Sequence, residues 1–123
     1  MIDDELEVIA LINQERASRG LVELQFDREL TRCARGASRH SLEHGNFQGH
    51  VNPEGDDFTG RMNLNGIDSE SSAENISYGA FTPLSVYQGW RNSPGHNANM
   101  FYECFLRIGV GKHQNVWTAN FAR

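Results

Sequence analysis

Leu6, Ile9, Leu11 and Ile12 recur at helical spacing near the start of the chain, which predicts an amphipathic first helix. Asp3 or Asp4 is placed to cap it and Gly20 to end it. Leu21 to Phe26 alternates briefly between apolar and polar positions. A second helix is then expected to open at Asp27, carry Leu30, Cys33, Ala34, Ala37 and Leu42 on one face, and stop at Gly45. The period is lost between Gly45 and Ser72, where Gly, Asn, Asp and Ser dominate. This reads as a long irregular segment with one short helical turn near Phe58 to Met62. Glu74 to Tyr78 has the make-up of a short strand. Pro83 suits the first turn of a third helix that runs to about Asn92 with Val86, Tyr87 and Trp90 inward. Ser93-Pro94-Gly95 interrupts it, and a helical turn is expected after His96. Two alternating runs, Arg107 to His113 and Val116 to Ala122, are joined at Gln114-Asn115 and form the clearest hairpin. Helices first and antiparallel strands late predict an α+β domain.

At 123 residues the chain has room for one core. Hydrophobic residues at 38% and charged residues at 22% exclude collagen-like, coiled-coil and disordered classes. Sixteen acidic against 11 basic residues give a formal charge of -5, so no general basic field invites nucleic acid. No apolar run is long enough for a transmembrane segment, and the acidic N-terminus lacks the positive charge of an export signal. Two cysteines without CxxC spacing, Cys33 and Cys104, read as buried thiols rather than as a disulfide framework.

Candidate chemistry falls to the histidines. His40-Ser41-Leu42-Glu43-His44 matches the HxxEH pattern of inverted zinc proteases. A histidine in the last turn of a helix is favoured by the dipole in any case, and the chain lacks a second lobe to grip a peptide. A polar helix face explains the motif more simply. The second group is His50, Glu74 and His96, each at a junction between loop and regular element. Two imidazoles and a carboxylate suit a divalent metal with open positions for water. A Ser93-His96-Glu74 triad is disfavoured, because Ser93 lacks the GxSxG elbow and precedes a proline, a setting typical of caps and turns. Trp90, Trp117, Phe101, Tyr102 and Phe105 read as core and sheet-packing aromatics, not a ligand cage.

The segments Leu11-Ile12-Asn13-Gln14-Glu15-Arg16, Gly49-His50-Val51-Asn52-Pro53-Glu54-Gly55, Ala73-Glu74-Asn75-Ile76, Trp90 to Met100 and Ile108-Gly109-Val110-Gly111 together resemble the CAP superfamily. This group holds cysteine-rich secretory, antigen-five and pathogenesis-related proteins, and the Trp90 to Met100 block is similar to its microbial branch. The resemblance spans nearly all of 1–123 as one SCP-like domain. It implies a three-layer α-β-α sandwich with a short antiparallel sheet, and a cleft built around two histidines and two glutamates. His50 and His96 correspond to the cleft histidines and Glu74 to the glutamate of the AEN segment. The second glutamate's offset from Trp90 lands on Ser93, and no carboxylate occurs between Trp90 and Glu103, so one carboxylate remains for acid-base work.

What the resemblance implies about function is a protein acting outside the cell or at its surface, whose cleft binds an extracellular ligand or partner, lipid or protein, with His50 and His96 holding a divalent metal, zinc by preference. Such a site loses its ion as the imidazoles protonate near pH 6.5. Two alternatives accompany it: a metal-dependent peptide or ester hydrolase with Glu74 as base, and a structural adhesion module with a vestigial cleft. The missing export signal fits a trimmed or excised domain.

Overall fold

The computed structural model describes residues 3–44 and 72–123. In chain order these form α1 (Asp3–Ser18), β1 (Gln25–Phe26), α2 (Arg28–His44), β2 (Ser72–Tyr78), α3 (Pro83–Arg91), α4 (Pro94–Met100), β3 (Arg107–His113) and β4 (Val116–Ala122). The helical turn expected near Phe58 to Met62 lies outside the described residues, as does most of the irregular segment.

Helix α1 begins at Asp3, so Asp3 and Asp4 sit inside its first turn rather than capping it. Its end is the one expected. Gly20 has φ +76°, its N–H donates to Ala17 O at 3.0 Å, and Leu21 N–H donates to Arg16 O at 2.8 Å. That pair of bonds is the Schellman closure, which favours glycine at the left-handed position. The buried face differs from the expected one: Glu5, Val8, Ile9, Ile12 and Arg16 are inside, and Leu6 is exposed.

Asp27 caps α2 as predicted, its Oδ1 accepting from Leu30 N–H at 2.9 Å. Thr82 and Ser85 form a reciprocal capping box on α3, with Pro83 at the start and Asn92 as C-cap. α4 starts three residues earlier than expected. Pro94 occupies its first turn, where a fixed φ favours helix, so His96 lies inside the helix and not before it.

The sheet order is β1-β3-β4-β2. The β3–β4 hairpin has the expected bounds and pairs antiparallel, as does β2 with β4. Among the described strands only the two-residue β1 runs parallel, on the β3 edge. On one face Ile108, Val110, Trp117, Ala119 and Phe121 join α1 and α3 in the main core. On the other lies α2, against β3 and β4.

Two glycines permit that second contact. A Cβ on Gly109 would come within 2.1 Å of Thr31 N, and one on Gly111 within 2.1 Å of Arg35 N, so the α2 backbone rests directly on β3. Ser38 Oγ seals the contact, donating to Gly111 O at 2.8 Å and lying 2.7 Å from Thr118 Oγ1. The layers are therefore α-β-α, as expected. Cys33 and Cys104 are not joined; Cys33 is buried and Cys104 half-buried. Trp90, Trp117 and Phe105 are core residues, whereas Tyr102 is largely exposed and meets Phe105 edge-on at 4.9 Å.

Candidate functional site around strand β2

Strand β2 begins two residues before Glu74, which places Glu74 within the sheet, opposite Asn120 of β4. Residues two apart on a strand share a face, so Asn120 and Glu74 lie on the face that Thr118 presents to Ser38 of α2. Glu74 is 4% exposed. Asn120 Nδ2 donates to its Oε2 at 2.8 Å, fixing the carboxylate's orientation. Asn120 Oδ1 is buried and has no hydrogen-bond partner among the described residues. An unpartnered buried amide oxygen costs about 1–3 kcal/mol. The Asn120 oxygen lies beside the buried Glu74 carboxylate, on the face of the sheet that α2 covers.

The next residue, Asn75, points to the opposite face and holds α4. Its Nδ2 donates to His96 O at 3.1 Å, and its Oδ1 accepts from Asn99 Nδ2 at 2.9 Å. Trp90 Nε1 donates to Ile76 O at 3.2 Å and fixes the end of α3 to the same strand. Three consecutive residues of β2 thus carry Glu74, the clamp on the backbone of His96, and the anchor of the preceding helix. His96 is half-buried. Ser93 is half-buried at the N-cap of α4, without a side-chain capping bond. His50 lies outside the described residues.

Asn75, Asn99 and Asn120 are not marked by motif spacing. For Asn75 and Asn120 the signal is an asparagine inside a predicted strand, a residue that strands disfavour and that needs a reason when buried; Asn99, in a helix, carries no such signal. The HxxEH motif occupies the end of α2, with His40 half-buried and Glu43 exposed. Among the described residues no group of three or more His, Cys, Asp or Glu side chains is placed to hold a metal ion.

This architecture and sequence match one family. The profile of the cysteine-rich secretory protein family, CAP, covers residues 9–121, and the chain belongs to that family. It is 35% identical over 119 residues to the uncharacterized protein YkwD of Bacillus subtilis, spanning 95% of this chain and 46% of that protein. An extracellular SCP-domain protein of Bacillus anthracis superposes with a TM-score of 0.94 at 28% identity, over 98% of this chain and 40% of that one. An outer surface protein of Borrelia burgdorferi shares the fold, with a TM-score of 0.88 at 18% identity over 99% and 96% of the two chains. The chain thus spans less than half the length of the two Bacillus relatives. Among the described residues no helix is long and apolar enough to cross a membrane.

Proposed function

We propose that this domain works outside the cell or at its surface as a binding module, with a cleft beside β2 where Glu74 and His96, joined by His50 and flanked by Ser93, receive a ligand or partner. The observation that supports it most is the Glu74–Asn120 pair, a buried carboxylate held by an amide whose own oxygen has no partner among the described residues. Burial of an ionised carboxylate carries a desolvation penalty of several kcal/mol, and the Asn120 amide offsets part of it. The extracellular and surface relatives support the location.

The donor set fits a divalent cation, zinc by preference. His50 and His96 would hold it, leaving open positions for water or a ligand carboxylate. A bound ion there would supply Lewis-acid character and a charged contact for an acidic ligand group. The chain's own part is to orient: Asn75 holds the backbone of His96, and Asn120 holds Glu74.

Calorimetric titration of the chain with zinc chloride at neutral pH tests this reading. A binding event is expected that His50→Ala and His96→Ala each abolish, and that weakens as pH falls through about 6.5. Absence of binding, or binding unchanged by either substitution, would contradict it. Glu74-dependent turnover of peptide or ester substrates by the zinc-loaded protein would replace the binding reading with the hydrolase one.

A further inference from the structure

Helix α2 carries Arg28, Arg32, Arg35 and Arg39 at i, i+4, i+7 and i+11, one stripe along its outer face. The stripe lines a groove of about 720 Å³ shared with Lys112 and Phe26. In a chain of net charge -5, this is a concentration of cations that the overall charge conceals. Local carboxylates answer only part of it. Glu29 pairs with Arg32, the buried Glu5 takes the Arg35 guanidinium, and Asp4 takes Lys112 Nζ at 2.8 Å. Arg28 and Arg39 are exposed, and neither has a carboxylate partner among the described residues. Among the described residues the two ends of the stripe are therefore uncompensated.

Gly36 lines the groove between these arginines. A glycine inside a helix costs about 1 kcal/mol relative to alanine, and packing among the described residues does not demand this one: an added Cβ would meet none of them within 4 Å. The bare backbone does leave room for close approach by a ligand.

We infer that this groove binds a chain of phosphodiesters, laid along α2 with its phosphates on the guanidinium forks of Arg28 and Arg39 at the two ends of the stripe. The stripe runs for about 16 Å at the helical rise, with neighbouring positions about 5–6 Å apart, long enough for several repeats. Arginine's planar fork matches a phosphate with two parallel bonds. A protein partner needs a desolvated apolar centre, and among the described residues Phe26 is the one large apolar side chain lining the groove. A single-stranded nucleic acid needs a series of stacking rings, and a lone ring does not supply one. A simple phosphodiester polymer needs neither.

The test is titration of the chain with poly(glycerol phosphate), followed by fluorescence anisotropy of an end-labelled polymer at several salt concentrations. Binding at about 20 mM salt is expected, with log K falling against log salt at a slope of about -2 to -3. R28Q/R39Q is expected to lose on the order of tenfold in affinity and to flatten the slope, while Arg91→Gln, on α3, changes neither. Both α2 arginines are exposed, so the double variant is expected to fold. If it does not, titration of the unsubstituted chain decides the matter, by whether the Arg28 and Arg39 Nε–Hε NMR signals shift. Lack of binding by the unsubstituted chain, equal binding by R28Q/R39Q, unmoved Arg28 and Arg39 signals, or equal affinity for poly-glutamate of matched charge would overturn the inference.

Discussion

Arg16 shows how much one buried side chain can organise. It is 0% exposed, and its guanidinium donates to four backbone carbonyls: Val22 at 2.8 Å, Met100 at 3.0 Å, Tyr102 at 3.1 Å and Phe105 at 3.3 Å. One fork thus ties the end of α1 to the approach to β1 and to the segment between α4 and β3. Burial pushes its pKa below the ordinary value for a guanidinium, yet arginine keeps its charge in proteins. Arg16→Met leaves these carbonyls without their donor and is expected to cost about 2–4 kcal/mol in urea unfolding, with Arg16→Lys recovering less than half. A change below about 0.5 kcal/mol for Arg16→Met would show that the staple is dispensable. The sequence hid this residue because an arginine at a helix end looks like a partner for the dipole. Glu5 was hidden in the same way. Its carboxylate is buried on Arg35, with Nε at 2.9 Å, and accepts Lys112 N–H at 3.0 Å. Asp27 was the legible counterpart, a cap read from its position. Burial alone would raise its carboxyl, but Leu30 N–H and the Arg107 guanidinium outweigh burial and hold it below the usual range.

Among the elements, the contact between α2 and β3 decides where the layers sit. Gly109 and Gly111 form a saddle without side chains, and the helix backbone occupies the space that side chains would take. Gly109→Ala and Gly111→Ala are each expected to destabilise by about 3 kcal/mol or more, since the clash is with backbone that has no rotamer to yield. Gly36→Ala, on the open side of the same helix, is expected to stabilise by about 0.5–1 kcal/mol. Paired thermal melts check both signs, and a neutral Gly109→Ala would mean that α2 can lift from the sheet. Periodicity gave α2, α3 and the β3–β4 hairpin close to their observed bounds, because in each the apolar period and the cap or turn residues agree. It misjudged the face of α1, where Glu5 and Arg16 take positions that the pattern reserves for apolar side chains. It also placed α4 late, because Ser93-Pro94-Gly95 reads as a break although proline belongs in the first turn. The short parallel pairing of β1 with β3 has no local signature, since strand neighbours are set by tertiary contact.

At the scale of the whole molecule, two polar regions among the described residues stand apart from the apolar core: the Glu74–Asn120 pair between β2 and β4, and the arginine stripe on α2. The α-β-α architecture and family membership were legible because the matching segments run through almost the entire chain. The candidate site was legible as residue identities, not as geometry. Spacing selected Glu74 and His96, but the asparagines that hold them act through hydrogen bonds between distant positions, such as Asn75 to His96 and Asn120 to Glu74. The arginine stripe is not legible in the net charge of -5, which averages over the surface. The central claim, a metal-capable cleft beside β2, is tested most directly by a crystal structure of the zinc-soaked protein with anomalous data at the zinc edge. The account predicts one strong anomalous peak within about 2.0–2.1 Å of an imidazole nitrogen of both His50 and His96. A peak held by His40 and His44 instead, or no peak near His96, would contradict it.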